Sequence, residues 1–436
     1  MARHRHKEKL TMKKATAVRR FASSALALSL SLAFSNAQAQ SAEAQLVKRL
    51  DDLSAELEKV KAELKQMKDK PSAAPVVAAV AAVETQSTNA SATQLSAYGE
   101  INYSRPSRDS SATQANITRF VLGYQHRFDE KTKVVAELEV ENAVVSATDR
   151  GEVAVEQVYV EHRLNDTYGV RAGLFLMPIG LVNQNHEPHT FFGVERPLVE
   201  TAIIPSTLRE VGLQVFGEHD NGVSWSAGLS TGPDLSKWDA LNAAGAESPL
   251  RAVHQEGHLA KAKDLTLFGA VDWRGIPGLR LGSGLMSGKL GHGTAGFAAP
   301  NARYTLWDVH AKWTPGAWDL SALYARGSIT GAAGLNATFA GAPYLVPNRF
   351  DGFYAQAAYR FRLSGDYAIS PFARHEIVNT GRGFDGIAAA GYRTEGLTTV
   401  GANFNLTPSV VVKADVQRYK VAKDSDRFNL GLGFSF

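Results

Sequence analysis

Cysteine is absent from the 436 residues, which excludes a disulfide framework and any thiolate metal site. Long apolar runs are missing too. Outside the N-terminus none approaches the ~20 residues that a membrane-spanning helix needs. No G-x-S-x-G or other nucleophile motif occurs, so nothing marks a catalytic centre. No cofactor motif is present either. The formal net charge is +4, yet residues 1–39 carry eight Lys/Arg against one acid, Glu8. Without them the balance is slightly acidic, which leaves no basic footprint for nucleic acid.

Those 39 residues have the layout of a secretory signal. Lys13 to Arg20 supply a positive segment, Phe21–Phe34 an apolar one, and Ala37-Gln38-Ala39 a small-x-small cleavage site. Residues 40–70 then carry Leu46, Leu50, Leu53, Leu57, Val60, Leu64 and Met67 at alternating spacings of four and three. This heptad seam predicts a short coiled-coil helix; a lone amphipathic helix is the other reading. Residues 71–93 are an Ala/Pro/Ser/Thr-rich linker.

From residue 94 to the end the period changes to two. Val134, Ala136, Leu138 and Val140 alternate with Lys133, Glu137, Glu139 and Glu141. Trp307, Val309, Ala311 and Trp313 face away from Asp308, His310 and Lys312. Phe428, Leu430, Leu432, Phe434 and Phe436 oppose Asn429, Gly431, Gly433 and Ser435. Alternation of this kind fits a sandwich with one wet face or a transmembrane barrel. Strands of about ten residues match a tilted bilayer crossing. Aromatics recur at strand ends, among them Tyr98, Phe128, Trp313, Trp318, Tyr359, Phe361 and Tyr419, as interfacial girdles require. The polar faces carry charges in series, which a watered lumen tolerates and a packed core does not. The expected fold is therefore all-β: an antiparallel transmembrane barrel of about sixteen strands over 94–436. Strands near 250–290 and 365–380 are poorly patterned. Short turns such as Thr314-Pro315-Gly316 contrast with long stretches at 104–114, 231–256, 290–302, 328–349 and 379–391.

One segment, 178–207, has neither period. Pro178, Pro188, Pro197 and Pro205 prevent a continuous element. Phe191, Phe192, Ile203 and Ile204 make it too apolar for a solvated linker. It is expected to fold inward and narrow the lumen. Its charged and titratable positions, His186, Glu187, His189, Glu195, Arg196 and Glu200, are candidate constriction residues together with the adjoining Arg209 and Glu210. Arg119, Arg127, Glu137, Glu139, Glu141, Lys312, Arg360, Arg362 and Lys413 are candidate lumen-lining residues from the strands. His186-Glu187-Pro188-His189 invites a metal reading, but Pro188 prevents helical presentation of the two imidazoles. A polar loop tip is the plainer account.

The run Arg171-Ala172-Gly173-Leu174-Phe175-Leu176-Met177-Pro178-Ile179-Gly180 resembles the R-x-G-x-x-x-x-P-φ-G signature of the phosphate-selective porin O and P family. Glu195-Arg196-Pro197, Ile204-Pro205 and Arg209-Glu210-Val211-Gly212-Leu213-Gln214 are similar to that family as well. The resemblance implies an outer-membrane porin, passing small hydrophilic solutes as a homotrimer in the lipid bilayer. It also implies that the aromatic strand ending at Phe436 addresses the barrel-assembly machinery. The best-known members line their pore with Arg and Lys, whereas 94–436 holds 32 Lys/Arg against 34 Asp/Glu. A barrel with a closed lumen, anchoring the coiled coil to the envelope, is the rival reading.

Overall fold

The computed structural model of the protein describes residues 92–146 and 151–436. The signal, heptad and most of the linker readings lie outside them. The first nine strands are β1 Thr93–Pro106, β2 Gln114–Arg127, β3 Thr132–Glu141, β4 Glu152–Arg163, β5 Tyr168–Leu176, β6 Arg209–Glu218, β7 Val223–Ser230, β8 Thr266–Trp273 and β9 Leu279–Lys289. The remainder are β10 Arg303–Trp313, β11 Trp318–Thr330, β12 Arg349–Tyr359, β13 Phe361–Arg362, β14 Ala368–Asn379, β15 Glu395–Thr407, β16 Val410–Tyr419 and β17 Arg427–Ser435. β12 and β13 both pair with β14 and form one stave broken at Arg360. The ring thus has sixteen staves, each antiparallel to its neighbours, and β1 closes it against β17. Closure leaves no edge with unpaired amides, which is what a bilayer demands of a sheet.

Alternation sorts the side chains as the sequence implies. Leu138, Val160, Leu213, Leu285, Val309, Val400 and Val412 are exposed on the outer face. Glu139, Glu161, Gln214, Asp308, Lys413 and Asp415 are buried on the inner one. Connections alternate between two rims: four residues or so after β2, β4, β6 and β10, and long excursions after β3, β5, β7, β9 and β11. Along the short-turn rim the aromatics touch one another, Trp318 to Tyr359 at 4.9 Å, Tyr359 to Phe361 at 4.7 Å, and Tyr367 stacked on Phe404 at 5.9 Å. Tyr98 departs from that girdle. It points inward, and its hydroxyl lies 2.7 Å from His186 Nε2.

The weakly patterned regions resolve differently. Residues up to 265 belong to the connection after β7, and the strand begins only at Thr266. β14 does alternate, but Phe372, Arg374, Glu376 and Val378 point inward while Ala373 and His375 point out. That mixture hides the period from a hydropathy reading. The connection from β7 to β8 is longer than the one from β5 to β6. It also folds inward, burying Leu235, Trp238, Leu250 and Val253 in one apolar cluster with Ile179, Ile203, Ile204 and Phe350.

Candidate functional site

The signature run builds the entrance of the segment between β5 and β6. Arg171 is held by Glu161 at 2.8 Å and lies 4.4 Å over the Tyr159 ring. Gly173 has φ +136, and a Cβ there would meet the Val158 carbonyl at 2.3 Å. Only glycine lets β5 approach β4 so closely in that conformation. Pro178 ends the strand, since it has no N–H for the ladder. Gly180, at φ +74, turns the chain into the ring, and its N–H donates to Asp308 Oδ1 at 3.0 Å. Asn183 pins the neck: its amide donates to the Met177 and Leu208 carbonyls and accepts from Leu208 N–H at 2.8 Å.

Beyond the neck the segment crosses the lumen, tied to inward-facing side chains of many staves. Val194 N–H donates to Asp415 at 2.6 Å, and Val199 N–H to Glu376 at 3.1 Å. Arg374 donates to the Phe192 and Glu195 carbonyls. Lys413 donates to the Phe191 and Gly193 carbonyls and sits 3.6 Å from the Phe191 ring centroid. The tip meets the far wall, where His186 contacts Tyr98 and lies 3.1 Å from Glu156.

That far wall carries charge. Arg119 pairs with Glu139 at 3.0 Å and lies 3.6 Å from Glu141 and 3.9 Å from Glu100. Glu156 joins this group through a bulge. Glu137 pairs with Gln157 but Leu138 pairs with Val155, which leaves Glu156 unpaired in the ladder and turned inward. Among the described residues Glu100 Oε1 and Arg119 Nε are buried without a hydrogen-bond partner in the protein. Groups of that kind take water in a wet passage.

On the short-turn side of the segment lies a vestibule of about 1130 Å³. Leu181, Val182, Phe191, Phe192 and Pro197 form the apolar part of its roof, Asn185, His189 and Thr190 the polar part, and Arg274, Arg280, Lys312, Arg360 and Arg362 line its wall with Asp319.

The candidate residues therefore separate. Glu195 pairs with Arg427 at 3.1 Å and accepts from Gln417. Arg196 donates to Ser206 and to the His186 carbonyl. Glu187 is half-buried, and exposed His189 lines the vestibule with its ring 3.1 Å from Ser435. His186 and His189 thus engage separate partners rather than one centre. Three positions turn away from solute. Glu200 accepts from Leu181 N–H, Val182 N–H and the Tyr354 hydroxyl, so it staples the segment. Glu210 is fully buried against Thr231, and Lys413 is consumed in holding Phe191. Arg209 pairs with Glu256 at 3.2 Å near the long-loop side. Of the strand positions, Glu137 accepts from Gln157, Lys312 pairs with Asp319 at 3.3 Å, and Arg127 is exposed at the short-turn rim. The sequence reading did not single out Glu156, Arg274, Arg280 or Arg374. Two polar residues in succession, Glu156-Gln157, inside an alternating strand were the available sign of the bulge.

The model of the phosphate-selective porin O and P family matches residues 95–383. An uncharacterized protein of Aquifex aeolicus strain VF5 is 28% identical over 360 residues, covering 78% of this chain and 79% of that one. Among solved structures, the daunomycin complex of Salmonella typhi OmpF aligns with TM-score 0.54 at 10% identity, over 79% of this chain and 97% of its own. The channel DcaP of Acinetobacter baumannii aligns with TM-score 0.49 at 12% identity, over 79% and 97%. With a closed sixteen-stave barrel, an inward segment and a family match across most of the ring, the chain belongs to the phosphate-selective porin O and P family, outer-membrane channels for small solutes.

Proposed function

We propose that the protein is a passive diffusion pore whose narrowest passage runs between the segment 178–207 and the charged wall of β1 to β4. The observation that carries this is the set of hydrogen bonds tying the segment across the lumen, from Asp308 on one side to Tyr98 on the other. Charges at such a passage act at short range and escape much of the screening of an open surface. The basic wall of the vestibule supports a preference for anions among solutes that pass. Deleting Gln184–Glu200 is expected to raise single-channel conductance in planar bilayers. Glu187→Gln is expected to shift the reversal potential under a KCl gradient further toward anions. Unchanged conductance and reversal potential would remove the constriction from this reading.

The apolar cluster under the long connections favours a second reading, a barrel closed at rest that tethers the N-terminal heptads. Absence of any conductance in the intact protein would select it. The homotrimer rests on the family alone. Light scattering of protein lacking Leu46–Met67 tests whether the heptads hold it together, a loss of trimer being the expected result.

A further inference from the structure

The wall of the vestibule is unusual in what its cations do. Arg280 grips Asp272 with contacts of 2.6 and 3.0 Å, which leaves Arg274 a distant partner at 3.9 Å from the same carboxylate. Lys312 is paired with Asp319. Arg360 and Arg362, by contrast, have no ion pair among the described residues, and both are exposed into the vestibule. Arg360 is the break between β12 and β13 and Arg362 lies two residues on, so two guanidinium groups come from neighbouring positions of one inner face. Across from them the roof is apolar around Phe192 and polar at Asn185, His189 and Thr190. Phe192 is only half-buried, its ring 5.8 Å from Phe372, and Leu181, Val182 and Pro197 complete the surface. A hydrated inorganic anion gains nothing from the apolar part of that roof. A solute that joins an apolar body to an anionic head satisfies both surfaces at once: the body leaves water against the roof while the head meets the unpaired guanidinium groups. The volume exceeds that of a usual small-molecule pocket, which leaves room for the head to keep part of its water.

We propose that the vestibule is a binding site for amphiphilic organic anions, small aryl or alkyl carboxylates and sulfonates, held by Arg360 and Arg362 beneath Phe192. This deepens the anion preference proposed above and rests on that reading of the lumen. Calorimetric titration of the full protein in lipid nanodiscs, with empty discs subtracted, tests it with naphthalene-2-sulfonate and methanesulfonate, which share a head and differ in the body. The aryl sulfonate is expected to bind at least about tenfold more tightly. The double variant Arg360→Gln, Arg362→Gln should weaken it by about tenfold or more. Phe192→Leu should weaken it while leaving methanesulfonate unchanged. Equal affinity for the two sulfonates, no binding, or binding indifferent to the Arg360 and Arg362 changes would overturn the proposal. Conductance in KCl is measured on the same preparation. A pore that conducts but does not bind the aryl sulfonate defeats this inference alone. One that binds it without conducting defeats the diffusion reading and leaves the site standing.

Discussion

Glu200 lies on a segment that crosses a watered space, yet its side chain is buried at 2% exposure. One carboxylate oxygen takes the Leu181 and Val182 amides at 2.8 and 2.7 Å, and the other takes the Tyr354 hydroxyl at 2.7 Å. Glu200→Ala would leave three donors without an acceptor in a site with little room for water. The expected cost is about 2–4 kcal/mol, seen as a lower thermal transition and noisier open-channel current; a silent variant would show the staple to be dispensable. Lys413 and Val412 are adjacent and face opposite ways. The Lys413 ammonium is enclosed against Phe191, while Val412 is exposed on the outer face. Val412→Arg should cost about 2–4 kcal/mol in the bilayer, measured by urea titration of folding into liposomes. Ser321→Arg, facing the vestibule, should fold as the parent does. Folding of Val412→Arg as well as the parent, with failure of Ser321→Arg, would invert the assignment of faces.

Elements show why a strand can defeat pattern reading. β14 alternates in burial from Ala368 to Val378, but the lumen beside it contains protein rather than water. Phe372 and Val378 are therefore as much at home inside as Arg374 and Glu376. The β7–β8 connection is held by a different device. Asp234 accepts from the Ser236 amide and hydroxyl and pairs with Lys261 at 2.8 Å. Burial pushes its carboxyl up, but Lys261 and Ser236 outweigh that and hold it below its ordinary value. A depressed carboxylate contributes stability that is present above its ordinary pKa and lost as pH falls through the depressed one. Protease nicking of this connection should thus rise as the medium is acidified through the carboxylate range. Lys261→Met should nick readily already at neutral pH and respond less to acid. Equal nicking rates in the two proteins would show that the pair does not hold the connection.

At the scale of the whole molecule, the ring exists only because its first and last strands meet. Phe436 donates to the Ala97 carbonyl at 2.9 Å and accepts from its amide at 3.0 Å, the last rungs of the β1–β17 seam. Removing Phe436 opens those two bonds at the short-turn rim, at about 1 kcal/mol each. The expected outcome is slower insertion into liposomes with an unchanged final barrel, followed by the change in gel migration on heating. An unchanged rate would place seam closure after the rate-limiting step. Closure also divides the interior, with the Arg119, Glu100, Glu139 and Glu156 wall on one side of the crossing segment and the basic vestibule beneath it.

The period-two pattern by itself determined the barrel, its approximate strand number, the outer face and the segment that could not be a strand. Each of these follows from local alternation and from residues such as Pro178 and Gly180 that forbid a regular continuation. The direction of individual charges did not follow. Lys413 read as solute-facing because it lies on the polar face of a strand and Glu200 because it is a charge on the inward segment, but their partners, Phe191 and Tyr354, are far away along the chain. Glu156 was out of phase through a bulge that depends on the register of β3 against β4. The even balance of acids and bases over 94–436 likewise hid the basic vestibule. Which charges share a compartment depends on how the ring closes and where the segment crosses it, and only the tertiary structure decides both.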